Sequence, residues 1–122
     1  MGEIYHNSVI CLECGEKLIS RHRHDFQQCS CSNETFVDGG LGFVYIRYGG
    51  KDLDKIQQFL ISSEDKFEWQ RFYFERGTYG KDGDKPLHYI KLKDMDNEHL
   101  ELLKDTHEIY KREIKYREKN GS

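Results

Sequence analysis

Proline occurs once in this 122-residue chain, tryptophan once and methionine twice. With Pro86 alone and no serine-rich tract, nothing in the sequence reads as a linker or a low-complexity segment. No apolar run approaches the ~18 residues of a membrane-spanning helix, and no signal-like hydrophobic segment follows Met1. These absences predict a soluble, cytoplasmic protein with no membrane partner. Charge of one sign is lacking as well: 19 Lys+Arg stand against 22 Asp+Glu, a net charge of −3, with a pI near 6.1. A general nucleic-acid binder relies on a basic field, so the balance argues against nucleic acid as a partner. Apolar residues are scarce too, at 36% against 34% charged. A core of that size is thin for a single small domain, and a metal or a partner subunit is the expected supplement.

Four cysteines are the first candidates for that supplement. Cys11 and Cys14 are three apart and followed by Gly15, so a tight turn can aim both thiolates at one ion while the glycine lets the backbone fold beneath it. Cys29 and Cys31 follow after 14 intervening residues, with one residue fewer between them than is usual for such a pair. Cys11, Cys14, Cys29 and Cys31 are therefore the expected ligands of a structural Zn²⁺, whose closed four-thiolate shell leaves no position for water activation. Two disulfides, free thiols, or His22 or His24 in place of one thiolate are the alternatives. His6 reads as a surface side chain.

The remaining pattern predicts an α+β fold, with the zinc knuckle joined to a small antiparallel sheet, one short helix and one long C-terminal helix. Residues 1–50 read as the knuckle and hairpin module and 51–122 as an α+β extension of one continuous domain. Residues 35–37 and 43–48 form a strand pair around Asp38-Gly39-Gly40. Asp52 caps a short helix with Ile56, Phe59 and Leu60 on its apolar face. The aromatic run 67–74 fits a strand, residues 77–86 a loop, and 87–92 another strand. Asp96 then caps a helix from 97 to 117 with a Met95/Leu100 staple and an apolar stripe at 100, 103, 107, 110 and 114. That face either covers the sheet or forms the seam of a homodimer.

Several residues could bind a ligand. Asp38, Gly39 and Gly40 could present amides and a carboxylate, although Asp-Gly is also an ordinary hairpin turn. Arg47, Arg71 and Arg76, beside the aromatics 69–79 and the loop residues Gly77, Thr78 and Tyr79, could hold a phosphate and stack on a base. Those side chains equally suit a thin core. No dinucleotide fingerprint, phosphate loop or calcium loop is present. No nucleophile–base signature appears either, so no catalytic residue is assigned and no enzyme is expected.

The run Cys11-x-x-Cys14, His24-Asp25-Phe26, Cys29-x-Cys31, Val37-Asp38-Gly39-Gly40 and Tyr45-Ile46-Arg47-Tyr48 resembles an uncharacterised family of short proteins from tailed phages and prophages, over roughly residues 9–50. The stretch 76–83, Pro86-Leu87, residues 92–95 and His99 are similar to a second motif of small phage proteins. The resemblance implies an accessory protein for host takeover or for blocking host defence, with a host protein as its target. It brings no catalytic residue with it. Sequestration of a small nucleotide signal and zinc-ribbon nucleic-acid binding are the other two functional expectations.

Overall fold

The structure is a computed structural model that describes residues 3–22, 24–40, 46–79 and 83–121. The chain forms two compact units, Met1–Gln70 and Arg71–Ser122. In the first, β1 (Ile4–Cys11) is the middle strand of a sheet, antiparallel to β2 (Lys17–Ser20) on one side and β6 (Ile56–Ser62) on the other. A second sheet in the same unit orders β3 (Gln27–Gln28), β4 (Phe36–Asp38) and β5 (Arg47–Gly49), again antiparallel. Val9, Cys11, Leu18, Cys29 and Val37 make one core cluster from residues of both sheets, with Cys31 and Ile56 packed against it.

Strand β1 is buried along all but one of its eight residues, so its sequence lacks the alternation of a half-exposed strand. Its polar residues are satisfied within the unit. The Asn7 side-chain amide donates to the Gly39 carbonyl at 2.6 Å, and His6 Nε2 lies 2.9 Å from the Ser8 hydroxyl. His6 is thus buried and edge-on to Phe59, not a surface residue.

Three local expectations are corrected. Asp52 does cap a turn, its side chain accepting from the Asp54 amide, but the turn is a three-residue 3-10 segment, Leu53–Lys55. From Ile56 the chain enters β6, because pairing with β1 satisfies a whole row of backbone groups that a short isolated helix would leave half exposed to water. Strand β6 lies in the first compact unit, which runs to Gln70. The aromatic run is a helix, α1 (Phe67–Tyr73), and not a strand. Its entry turn is fixed by the Asp65 carboxylate accepting from the Ser62 amide and by the Gln70 side chain donating back to the Ser63 and Asp65 carbonyls. The strand pairing of residues 35–37 is present as β4 with β5. Of its expected partner 43–48, residues 43–45 lie outside the described residues.

The second unit has the hairpin β7 (Glu75–Thr78) and β8 (His88–Lys91), followed by α2 (Asn97–Leu103) and α3 (Glu108–Asn120). Asp96 caps α2 by accepting from the His99 amide, and Met95 and Leu100 are both buried, as the staple reading requires. The single long helix is corrected to two. The Thr106 hydroxyl and amide both bond back to the Leu103 carbonyl, and extended His107 caps α3 through its ring nitrogen on the Ile109 amide. The Thr106 hydroxyl and the His107 ring compete with the helix for its own backbone groups, which is why the break falls there.

Helix α3 buries Ile109, Tyr110 and Glu113. The Glu113 carboxylate has no exposure, and it receives both forks of Arg71 at 2.8 Å and Arg117 Nε at 2.6 Å. Arg117 also donates to the Asn97 side chain and to the carbonyls of Leu92 and Lys93, which ties α2, α3 and the segment after β8 together. Arg71 in turn lies 4.3 Å over the Tyr116 ring. Removing the central charge leaves two guanidinium groups with little water and no counterion. Glu113→Ala is therefore expected to cost about 3–5 kcal/mol, read as a lower midpoint in urea unfolding monitored on α3.

Candidate metal centre

The two sheets of the N-terminal unit end at the cysteines. Cys11 is the last residue of β1, Cys14 sits in the turn that leads to β2, Cys29 follows β3, and Cys31 begins the turn before β4. Gly15, at φ +78°, folds the first turn back so that its amide donates to the Cys11 carbonyl at 2.6 Å. In the second turn Glu34 takes the same left-handed conformation, at φ +53°, and its amide donates to the Cys31 carbonyl. The shorter Cys29–Cys31 spacing works because Cys29 comes straight from a strand while Cys31 already belongs to the turn.

All four Sγ atoms lie within 4.8 Å of one another. Cys31 Sγ is 3.4 Å from Cys29 Sγ and 3.5 Å from Cys11 Sγ. A tetrahedral ion with metal–sulfur bonds of about 2.3 Å sets its sulfurs roughly 3.8 Å apart, so the donor set fits a thiophilic metal ion. Among the described residues neither His22 nor His24 joins this group. His22 instead approaches the Asp25 carboxylate.

The protonation of the cluster points the same way. Cys11 is lowered to about 6, first by a hydrogen bond from the Thr35 hydroxyl, then by amides of the knuckle. Cys31 receives the Asn33 amide, but burial and the neighbouring sulfurs outweigh that and push it up to about 12; Cys14 is also raised. Among these three, one thiolate forms readily and the other two resist, because burial and a neighbouring sulfur at this distance both disfavour a further negative charge. A divalent ion removes that repulsion, and the amides that already face the sulfurs remain as its outer shell.

Thr35 is the residue of this site that the sequence did not single out. It is fully buried, and its hydroxyl accepts from the Asn33 side-chain amide at 2.8 Å while donating to Cys11. Asn33 also holds the Asp52 amide and carbonyl, linking the metal turn to the start of β6. No motif marks such a relay, because the hydroxyl reaches the sulfur only once β4 lies beside β1.

The expected ligand-binding residues divide between the two units, Asp38, Gly39, Gly40 and Arg47 in the first and Arg71, Arg76, Gly77, Thr78 and Tyr79 in the second. Asp38 pairs with Arg47 at 3.0 Å, and Arg47 sits over the Phe36 ring. The Gly39 carbonyl is taken by Asn7, and a side chain at Gly40 would come within 2.6 Å of the backbone of Ser20 and His22. These glycines serve close chain packing. In the C-terminal unit Arg71 is committed to Glu113, and Arg76 approaches the Tyr110 hydroxyl at 3.4 Å. Gly77 packs beneath Tyr89 and Leu87, Thr78 borders a cavity, and Tyr79 is exposed.

Residues 3–50 match the family model of a domain of unknown function, DUF7695, a span that contains all four cysteines and strands β1 to β5. No curated protein and no solved structure gives a significant match to the chain.

Thr35→Val keeps the shape of the buried side chain and removes the hydroxyl. It is expected to weaken metal binding by about 10–100-fold, measured by chelator competition on the cobalt-substituted protein, with the thiolate-to-cobalt absorption still present at saturation.

Proposed function

We propose that this chain is a non-catalytic binding protein whose N-terminal unit is held by one structural zinc ion, and that it is a phage-encoded accessory protein acting in the host cytoplasm by inhibiting a host protein. The observation that carries the structural role is the convergence of four sulfurs from the ends of two sheets, since four thiolates fill a tetrahedral shell and leave no place for water or substrate. Zinc suits this donor set because it is thiophilic, tolerates the tetrahedral arrangement and needs no redox partner. The phage and host-target parts of the reading rest on the motif resemblance.

A nucleotide sponge built on the arginines and aromatics has less support. Arg47 and Arg71 are already paired with carboxylates, and Arg47 belongs to a different unit from Arg71 and Arg76. Zinc-ribbon nucleic-acid binding is disfavoured by the net charge of −3. Among the described residues no helix is long and apolar enough to cross a membrane.

Elemental analysis of the purified protein is expected to give one zinc per chain. Dialysis against a strong chelator should remove it and collapse the dispersed amide signals of Val9, Val37 and Ile61, because for such sites the binding free energy is folding free energy. A metal-free protein with those signals unchanged would refute the structural role. Turnover of a nucleotide or cleavage of nucleic acid by the pure protein would refute the non-catalytic reading.

A further inference from the structure

The four cysteines are alike in residue type and unlike in surroundings. Cys11 and Cys29 are buried, at 0% and 5% exposure, and Cys31 is half-buried. Cys14 is exposed, in a turn whose residues 12–17 are all exposed. Topology accounts for the difference. Cys11 ends the middle strand of a sheet and packs in the core cluster with Cys29, Val9 and Val37, whereas Cys14 sits midway along the connection from β1 to β2.

Hydrogen bonds to sulfur follow the same division. The Cys11 sulfur receives the Thr35 hydroxyl and the amides of Cys14 and Glu13, while the Cys14 sulfur receives one amide, that of Glu16. Each such bond draws charge from the sulfur and makes it a poorer nucleophile. Cys14 is therefore the cysteine that an oxidant reaches first, and it is quenched less than its partner in the same turn. Glu13, paired with Lys55 at 2.6 Å, and Glu16 lie close to it in the chain. An uncharged oxidant approaches such a turn more readily than an anionic one. A second sulfur is also at hand. Cys11 and Cys14 share one C-x-x-C turn with their sulfurs within 4.8 Å of each other, and this spacing is the one that dithiol redox motifs close to a disulfide.

We propose that Cys14 is a site of oxidation by hydrogen peroxide, and that a Cys11–Cys14 disulfide formed through it releases the zinc and opens the joint between the two sheets. The proposal rests on the structural-zinc reading above. In the first step the Cys14 sulfur attacks one peroxide oxygen. An S–O bond forms, the O–O bond breaks and hydroxide leaves, so the thiolate is oxidised by two electrons to a sulfenic acid and the peroxide is reduced. In the second step the Cys11 thiolate attacks that sulfur, the S–S bond forms, the S–O bond breaks and a second hydroxide leaves. Two solvent protons turn both hydroxides into water. Buried Cys11 is thus oxidised without peroxide having to reach it. Two of the four ligands are then lost to the ion, and Cys29 and Cys31 by themselves do not complete a tetrahedral shell.

The test uses the whole protein, its zinc measured by elemental analysis before oxidant is added. Hydrogen peroxide is expected to release that zinc to a chromogenic chelator with the loss of two thiols per ion. Peptide mapping by mass spectrometry should show a Cys11–Cys14 disulfide that dithiothreitol reverses, and dimedone, which traps sulfenic acids, should mark Cys14. Cys14→His offers the ion a shell of three thiolates and one imidazole, which zinc accepts. That variant should release zinc at least about tenfold more slowly in peroxide, a barrier higher by roughly 1.4 kcal/mol. Protein isolated without zinc overturns both this proposal and the structural reading. This proposal alone is overturned by zinc-loaded protein that keeps its ion in excess peroxide, by dimedone on Cys29 or Cys31 in place of Cys14, by a disulfide that excludes Cys14, or by a Cys14→His variant that releases zinc as fast as the native chain.

Discussion

Four sulfurs within 4.8 Å of one another cannot all carry charge unless a cation sits among them, and the N-terminal unit is organised around that constraint. Its two sheets place Cys11 at the end of β1 and Cys29 and Cys31 around the turn that leads into β4, and both metal turns use a left-handed residue, Gly15 or Glu34, to bring the chain back. The core of the unit continues directly into the thiolates, since Val9, Leu18 and Val37 pack in one cluster with Cys11 and Cys29. A metal ion bound by these sulfurs would join the two sheets directly beside that apolar cluster.

The C-terminal unit meets the same shortage of apolar residues with a different polar centre. Glu113 is fully buried between Arg71 and Arg117, and Arg117 spreads the connection to Asn97 and to the carbonyls of Leu92 and Lys93. Such a centre favours one packing over its neighbours more than it adds stability, because a misplaced partner leaves a charge without water. Both units thus rely on directional contacts among charged or thiolate groups.

Much of the cysteine cluster was legible in the sequence, because a cysteine pair followed by glycine constrains its own turn whatever surrounds it. The caps at Asp52 and Asp96 were legible for the same reason: each acts within three residues. Residues 56–60 were not. Their spacing is equally consistent with a helix face, and the choice of strand came from the hydrogen bonds offered by β1, many residues away. The aromatic run at 67–73 misled in the opposite direction, since a helix entry written by Asp65 and Gln70 outweighed strand propensity. In the C-terminal helices an apolar stripe drawn through His107 passed over a break, and the buried position proved to be a glutamate that no hydropathy pattern selects.

What the sequence alone determined is the short-range chemistry: the two cysteine pairs, the helix caps, the near-neutral charge and the α+β class. These follow from residue types a few positions apart and hold in any fold that contains them. Tertiary structure decided what each long-range group would meet. It set Arg71 against Glu113 and Arg47 against Asp38, and it brought Thr35 to Cys11. The physical reason is that a charge or a hydroxyl acquires its role from the group opposite it, and that group is chosen by packing between elements far apart in the chain.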